Sequence, residues 1–528
     1  MYIEFNLQRK NSFRRGHVHR QATDQMNNTE FRTRIRKSLT NQTLQAALDV
    51  NAERRVTKRL NALATLPDWK ERRQRAHAIR AEVIEHLEEY LEQFIAAAQS
   101  NGVIVHRAKD ANEAVQIVVD IAHHQSPNTQ HAIRNTHQHG LDTADKHRLL
   151  DHQTHNILIA KSKSMVSEEI NLNHALEKEG IKVVETDLGE YIVQLRNERP
   201  SHIITPALHL RRQDVGQLFH EKLGIPYTED IPTLTNTARK VLREVFLTAD
   251  VGISGANFIV AETGSLCLVT NEGNGRMVTT LPPIHIALIG MERLVRNLDD
   301  LALMLSLLPR SATGQKLSVY TQIIHKPLAN QQRHFIILDN GRSRLRNSPL
   351  KESLYCIRCG SCLNACPVFR EIGGHAYKSI YSGPIGSVIS AGLFGSEFVP
   401  LAQASSLCGA CKDACPVDID LPKLLMRVRA GQSPSPRGRG ARGEGADVRP
   451  RSALSRHTWR RSSPRAQRYR LSRSWQMRRL LRRELEQTRF RRDARPRFSH
   501  CLRSTRQRRL HRRQRQVHRQ RRTPGHSR

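Results

Sequence analysis

Seven of the nine cysteines in this 528-residue chain lie in two short runs, and each run ends in Cys-Pro. The first run begins at Cys356 with CIRCGSCLNACPVF, and the second begins at Cys408 with CGACKDACPV. A cubane iron–sulfur cluster needs soft thiolate ligands, and three cysteines separated by two residues each let one tight turn of backbone wrap the cluster. A fourth ligand must come from elsewhere in the chain. The runs therefore predict two iron–sulfur clusters.

The spacing also predicts which cysteines share a cluster. In the bacterial two-cluster pattern, the last cysteine of each run binds the cluster of the other run. This rule divides the seven cysteines into a first cluster and a second cluster, bound respectively by Cys356, Cys359, Cys362 and Cys415 and by Cys366, Cys408 and Cys411. The second cluster is one cysteine short, because Ser405 stands where a complete run has another.

The fourth ligand of the second cluster has four candidates. These are the Ser405 hydroxyl, water, a remote cysteine such as Cys267, and a cluster of only three irons, which needs no fourth ligand. Zinc knuckles and disulfides are the alternatives for the runs as a whole. Zinc sites commonly use two separated pairs of ligands and do not predict the repeated Cys-Pro ending. Disulfides are uncommon in a long chain without a signal peptide, so we expect two [4Fe–4S] clusters.

The net charge of +36 is concentrated at one end of the chain. Residues 431–528 contain 32 arginines, no lysine and 5 acidic residues, which is 32 − 5 = +27 of the total. The preceding residues contain many lysines. This change of composition favours the interpretation that residues 431–528 are a possible frameshift product, translated from GC-rich DNA in a shifted reading frame. The alternative is an arginine-rich arm that binds nucleic acid, although we expect no nucleic-acid partner. In either case, too few apolar residues are present to be buried, and we expect a disordered tail.

The rest of the chain alternates between helices and strands. Apolar residues at three- and four-residue steps predict a helix that begins after Pro67 and ends at Gly102. Predicted strands follow in VIVHRA, ILIAKSKSM, IKVVETDL, HIITPAL, NFIVAETGSLCLVT and IHIALIG. This order predicts a mixed or parallel sheet covered by helices. Residues 123–155 contain eight histidines without repeated close spacing, and we expect a solvated insertion there.

Polar clusters follow several predicted strands, where α/β proteins usually bind ligands. Lys161 and Lys163 are candidate binders of an anionic ligand, and Glu168 and Glu262 are candidate bases. Each has a structural alternative, such as a solvated lysine or a glutamate that stabilises a helix N-terminus. Neither nucleotide-binding fingerprint, GxGxxG or GxxxxGK[ST], occurs in residues 1–430.

Several segments together resemble the lactate utilization protein B family. They follow one another from about residue 30 to about residue 430 and include KSKSMVSEEI, TDLGEYIVQL, ERPSHIITPALH, VGISGANFIVAETGS, VTNEGNGRM, ILDNGRS and the two cysteine runs. The resemblance implies a LUD domain, an α/β fold related to sugar-phosphate isomerases and CoA-transferases. An α-helical ferredoxin-type domain with two [4Fe–4S] clusters follows it, with the same division of cysteines. Residues 123–155 have no counterpart in the family, and the family's C-terminal segment is missing after Leu425.

The expected domain organisation combines these observations. Residues 1–40 form an N-terminal extension, and residues 41–310 form the LUD α/β domain with the His-rich insertion. Residues 311–430 form a linker and the ferredoxin-type domain, and residues 431–528 form the arginine-rich tail.

The resemblance also implies a function, the electron-transfer component of a complex that oxidises L-lactate to pyruvate and supports growth on lactate. Its partners are then the other subunits of that complex. No flavin motif or catalytic dyad is recognisable, so we expect electrons to arrive from a partner or a bound substrate and to leave singly to an unidentified acceptor. One alternative is an iron–sulfur subunit of another dehydrogenase or disulfide reductase, and another is a nucleic-acid-binding protein that acts through its tail.

The expected location is the cytoplasm. No apolar run of the sequence reaches the length that spans a membrane, and the N-terminus lacks the apolar region of a signal peptide. Reduced thiolates are also typical of that compartment.

Overall fold

The computed structural model describes residues 28–125 and 157–434. Most of the predicted N-terminal extension, nearly all of the His-rich insertion and nearly all of the arginine-rich tail lie outside these residues. Within the described ranges, every helix is too short or too polar to cross a membrane.

Four helices open the described chain: α1 (Asn28–Thr40), α2 (Gln42–Ala64), α3 (Trp69–Glu85) and α4 (Leu87–Ser100). Asn41 caps α2, because its side chain accepts a hydrogen bond from the Leu44 N–H. The single helix predicted between Pro67 and Gly102 is two helices, because the backbone leaves helical geometry at His86. The predicted apolar face is nevertheless buried across both, at Ile79, Val83, Leu87, Leu91 and Phe94.

The described residues contain ten strands: β1 (Ile104–Ala108), β2 (Leu158–Lys161), β3 (Lys182–Glu185), β4 (Val251–Ser254), β5 (Phe258–Val260), β6 (Ser265–Thr270), β7 (Ile284–Gly290), β8 (Leu294–Val295), β9 (Tyr320–Ile324) and β10 (Gln332–Leu338). Helices α5 to α12 lie between them, at Ala111–Gln125, Met165–Glu169, Leu172–Lys178, Leu188–Leu195, Arg212–Leu223, Ile231–Thr248, Asn274–Thr280 and Leu298–Ala312.

The strands form two sheets rather than the single sheet expected. A six-stranded sheet has the order β1-β10-β7-β4-β2-β3, and all its pairs are parallel. A four-stranded sheet has the order β8-β5-β6-β9 and is mixed. Strands β4 and β7 are buried along their whole length, as expected for central strands covered on both faces.

Two sequence predictions need correction here. The predicted strand HIITPAL is a loop, because local hydrogen bonds satisfy its backbone. His202 Nδ1 accepts the N–H groups of Ile204 and Thr205 at 3.0 and 3.2 Å, and the Ser201 N–H donates to the Pro206 carbonyl at 2.9 Å. The α/β part also extends past the predicted boundary at residue 310, since β10 lies between β1 and β7.

The segment after β10 is helical. It comprises α13 (Arg342–Arg346), α14 (Ser361–Ala365), α15 (Pro367–Ile372), α16 (Gly383–Leu393), α17 (Val399–Gln403), α18 (Ala410–Ala414) and α19 (Leu421–Arg429). One continuous apolar core includes buried residues of α3 and α4, of the four-stranded sheet, and of this helical segment. The cysteine runs are therefore packed directly against the α/β part of the chain.

Candidate metal centre

Four cysteines converge on one cavity. Cys356, Cys359 and Cys362 from the first run and Cys415 from the second line a small cavity of about 20 Å³, and we call them the first cysteine group. The other lining residues are mostly apolar, among them Ile385. Cys415 therefore joins the first run in space, although the sequence places it more than forty residues away.

Local backbone geometry explains the spacing of the first run. Arg358 has a left-handed conformation with φ +58°, which is uncommon for a residue with a side chain. This turn directs the Arg358 N–H at the Cys356 sulfur, with N and Sγ 3.3 Å apart. The Ile419 N–H likewise donates to the Cys415 sulfur at 3.4 Å. Backbone N–H donors to thiolate sulfur are among the interactions that tune iron–sulfur clusters.

The proline after each run fixes the position of its last cysteine. Cys366 and Cys415 end α14 and α18 in extended conformations, with φ/ψ of −81°/118° and −73°/121°. A following proline disfavours helical geometry in the residue before it, so Pro367 and Pro416 end each helix at the cysteine. The cysteine side chain is thereby turned out of the helix that precedes it.

The chemistry of the first group fits a bound cation cluster. Burial raises the pKa of Cys359 to about 11, and burial also raises the pKa of Cys362 and Cys415 well above the ordinary value. Neighbouring cysteines raise each of these pKa values further. Four thiolates at this place therefore require positive charge, which iron supplies when it binds.

Cys366, Cys408 and Cys411 form the second cysteine group. The Cys366 thiol is buried, and Cys408 adds to the effect of burial in raising its pKa. Burial and the neighbouring Cys366 raise the pKa of Cys411 to about 12. Cys408 is exposed, so this group reaches the protein surface. Within residues 28–125 and 157–434, no three histidine, cysteine or acidic side chains are grouped as a site for a single metal ion.

Two of the candidate fourth ligands can be placed. The Ser405 hydroxyl accepts a hydrogen bond from the Leu407 N–H at 3.2 Å. Cys267 is fully buried in β6, and burial alone raises the pKa of its thiol to about 12. The structure thus does not bring Cys267 to the second group, and its interpretation as a small buried apolar residue agrees with its environment.

A buried ion network joins the parallel sheet to the first cysteine run. The Arg342 guanidinium donates to both carboxylate oxygens of Glu169 at 2.9 Å and to Glu292 Oε2 at 2.5 Å. Arg358 donates to Glu292 Oε1 at 3.2 Å, and its guanidinium carbon lies 4.6 Å from the centroid of the Tyr381 ring. These five side chains are buried, so the network positions the run against the ends of the strands.

The polar clusters of the parallel sheet differ from the sequence expectation. Lys161 is fully buried, with its ammonium 2.6 Å from Glu185 Oε1 and 3.5 Å from Glu168 Oε1. It is therefore part of an internal ion cluster and does not face a ligand. Lys163 donates to the Ile204 carbonyl at 3.1 Å. Glu262 borders a different depression, which Tyr90, Gln93, Arg296 and Asn297 also line.

Gly360 has a packing role that its counterpart Gly409 lacks. Both precede a cysteine-bearing helix in left-handed conformations, with φ of +74° and +88°. A Cβ on Gly360 would lie 3.2, 3.3 and 3.4 Å from atoms of Ile204, His202 and Ile203, whereas one on Gly409 meets nothing within 4 Å.

We expect Gly409→Ala to cost about 1–2 kcal/mol from backbone strain. Gly360→Ala should cost about 1–3 kcal/mol more, because the added methyl group crowds the loop at 202–204. Thermal unfolding of both variants, with iron measured per chain, tests the difference. Equal losses in the two variants would contradict close packing of this loop on the run.

Comparison with known proteins places the chain in a family. The LUD domain family matches residues 91–344, and the 4Fe-4S dicluster domain family matches residues 352–419. Lactate utilization protein B of Bacillus subtilis (strain 168) is 42% identical over 407 residues, which cover 76% of this chain and 79% of the relative. The chain belongs to the lactate utilization protein B family. The resemblance and the prediction of an iron–sulfur protein are thereby confirmed.

Other similar proteins carry related names. Lactate utilization protein B of Bacillus licheniformis is 42% identical over 408 residues, covering 76% of this chain and 80% of the relative. "Uncharacterized electron transport protein YkgF" of Escherichia coli (strain K12) is 41% identical over 410 residues, with the same coverage. Among solved structures, a DUF162 family protein of Deinococcus radiodurans is 10% identical, with a TM-score of 0.23 over 48% of this chain and 98% of its own. That superposition is too loose to support an argument about fold.

The family matches also bear on the two cysteine groups. The 4Fe-4S dicluster match contains all seven cysteines of the two groups. The sequence identified these cysteines, and it missed the buried Arg80 and Arg293 and the half-buried Arg59. Their positions in the sequence carry no signal, because the packing of distant segments brings them together.

Proposed function

We propose that the chain is the electron-transfer subunit of a complex that oxidises L-lactate to pyruvate. In this proposal the chain holds two [4Fe–4S] clusters. The first cysteine group binds one, and the second cysteine group binds the other with a fourth ligand that is not a cysteine of either run. The other subunits of the complex are its partners, and the cytoplasm is its location.

The arrangement of the two groups on α14 and α18 carries this proposal. Cys362 of the first group lies in α14, and Cys366 of the second group directly follows that helix. Cys411 of the second group lies in α18, and Cys415 of the first group directly follows it. Helices α14 and α18 contact one another. Two short helices thus hold both groups close together, as a path for single electrons requires.

The cluster supplies the chemistry when bound, since each iron–sulfur cluster gains and loses one electron at a time. The chain supplies the surroundings. Apolar side chains such as Ile385 and Val417 line the first cavity and limit the access of water. The exposed Cys408 brings the second group to the surface, where a partner protein can approach it.

The lactate assignment rests on the family. Relatives in Bacillus are named for lactate utilization, and the Escherichia coli relative is named as an electron transport protein. The second name supports electron transfer without a particular donor. An electron-transfer subunit that serves a different dehydrogenase is therefore the second candidate function.

The test is iron and acid-labile sulfide per chain on anaerobically purified protein, with EPR spectra before and after L-lactate is added together with the partner subunits. We expect about eight irons per chain and a signal that develops with L-lactate. Reduction by glycolate, glycerol phosphate or a thiol instead would favour the second candidate. Zinc, or about four irons or fewer, would contradict the two-cluster proposal.

A further inference from the structure

Four arginines lie near the first cysteine group, since Arg59 and Arg80 donate to the carbonyls that precede Cys415 and Cys356 and the others contact Glu292. Arg59 comes from α2, Arg80 from α3, Arg293 from the turn after β7, and Arg358 from the cysteine run itself. Arg80, Arg293 and Arg358 are buried, and Arg59 is half-buried. Four guanidinium groups in such a place are costly unless negative charge compensates them.

The protein supplies only part of that compensation among its described residues. Arg80 donates to the carbonyl oxygens of Tyr355, Leu354, Leu294 and Glu292. Glu292 is the carboxylate that both Arg293 and Arg358 approach, with Nε of Arg293 at the long distance of 3.8 Å.

Several buried nitrogens of these arginines have no hydrogen-bond partner among the residues that the structure describes. They are Nε of Arg59, Nε of Arg293, and Nε and Nη1 of Arg358. Buried donors are normally bonded, so these four atoms are free to donate to a group bound at the first cysteine group. Cluster sulfides and thiolates at the first group are acceptors for such donors.

The electrostatic interactions between these arginines and the cysteines of the first group agree with this arrangement. Burial lowers the pKa of Arg59, and thiolates of Cys359 and Cys415 oppose that shift. Burial likewise lowers the pKa of Arg80 and Arg293, Glu292 opposes that shift most in each case, and a Cys356 thiolate adds to the opposition. These arginines therefore act on the first group.

The second group has different neighbours, among them Arg429, whose guanidinium donates to the Ser405 carbonyl. Burial raises the pKa of Cys366, Cys408 adds to that shift, and the backbone N–H groups of Phe369 and Val368 oppose it. No arginine contributes to the shift of Cys366 in the described part of the chain. The two groups thus differ in the charge around them.

We propose that Arg59, Arg80, Arg293 and Arg358 form a cationic cage that raises the reduction potential of the cluster at the first cysteine group. This inference rests on the proposed function, since it needs a cluster at each group. Reduction adds one electron, and the charge-bearing cage stabilises that added negative charge in a site of low dielectric. The second cluster, outside the cage, lacks this contribution.

The test is an EPR-monitored redox titration of the holoprotein with Arg358→Gln. Alanine at Cys359 or Cys411 assigns each signal to its group beforehand. At the potential where the first cluster of the wild-type protein is half reduced, we expect the ratio of reduced to oxidised first cluster to be at least about tenfold lower in Arg358→Gln. This is a fall of about 59 mV in midpoint potential for one electron. The second signal should keep its midpoint.

Two matched variants separate charge from structure. Arg358→Lys retains the positive charge and should keep the first midpoint closer to the wild-type value than Arg358→Gln does. Arg333 is also a buried arginine, bonded to the carbonyl oxygens of Lys326 and Thr279 at the amino end of β10. Arg333→Gln should leave both midpoints unchanged.

Arg59→Gln is the second test, should Arg358→Gln fail to assemble the first cluster. The Arg59 side chain donates to the Ala414 carbonyl and lies outside the Glu292 network, so its loss disturbs the fold less. A fall of the first midpoint in Arg59→Gln supports the cage. Wild-type midpoints in iron-replete variants would overturn the cage and leave the proposed function intact, whereas wild-type protein without two clusters would overturn the proposed function itself.

Discussion

Cys359→Ala is expected to abolish the [4Fe–4S] signal of the first cysteine group and to preserve that of the second. The Cys359 thiol is buried in the wall of a mostly apolar cavity, and alanine offers no ligand in its place. The iron content should fall from about eight to about four per chain, because the second group uses none of the first group's cysteines. Iron and sulfide analysis with EPR on anaerobic protein measures the loss.

Cys267→Ala is the matched control for this prediction. Cys267 is as deeply buried as Cys359, but it lies in β6. Removing its sulfur should lower stability by about 1 kcal/mol and leave both EPR signals in place. Equal iron contents in the two variants would contradict the assignment of Cys359. Loss of iron in Cys267→Ala would instead indicate that Cys267 is a cluster ligand.

The grouping of the cysteines could be predicted because its causes are local. Spacing by two residues fits one turn around a cluster, and a proline fixes the last cysteine of each run at a helix end. Convergence of Cys415 on the first run depends on α14 packing against α18. The sequence predicts that convergence only through the two-cluster pattern, and the structure brings the residues to one cavity.

Other features could not be predicted because they depend on distant contacts. HIITPAL has the composition of a strand, but a histidine side chain satisfies two of its backbone N–H groups, and the segment packs as a loop on Gly360. Similarly, the sequence suggests that Lys161 binds a ligand, whereas in the structure Glu185 of the neighbouring strand lies beside its ammonium. In the first case local hydrogen bonds and the packing on Gly360 outweigh the composition of the segment, and in the second case a tertiary contact does so.

The basic residues illustrate the same limit. Composition directs attention to the arginine-rich tail, whereas Arg80 and Arg358 lie among ordinary charged residues of helical and cysteine-rich segments. Their burial follows from α3 and the first run packing on the turn that carries Glu292. This packing decides whether an arginine is exposed to solvent or buried. The spacing of residues in the sequence does not predict it.

Glu292→Gln is the second change for which we expect a large effect. Glu292 is fully buried and interacts with Arg342, Arg358 and Arg293. Burial would raise the pKa of its carboxyl group, but the three arginines outweigh burial and hold that pKa well below its usual value. Glutamine removes the negative charge and leaves buried cations without compensation. We expect the free energy of unfolding to fall by about 3–5 kcal/mol.

The measurement is urea unfolding of anaerobic protein at neutral pH, followed by far-UV circular dichroism. Because the pKa of Glu292 is lower in the folded state than in the unfolded state, its stabilising contribution is complete above the unfolded pKa and is lost as the pH falls through the folded pKa. The difference between wild type and variant should therefore be the same at pH 7 and pH 8. A neutral Glu292 would instead make glutamine nearly isosteric, and the variant would lose little stability.

Glu82→Gln is the control for an exposed ion pair. Glu82 accepts a hydrogen bond from Arg296 at 2.7 Å, but its side chain is 41% exposed, and Arg296 keeps Asp300 as a partner. The expected cost is at most about 1 kcal/mol.

The double variant tests the coupling between Glu292 and Arg358. Arg358→Gln should lower the free energy of unfolding less in the Glu292→Gln background than in the wild type, because it removes a cation that Glu292→Gln left uncompensated. Strict additivity of the two changes would show that Glu292 and Arg358 are not coupled.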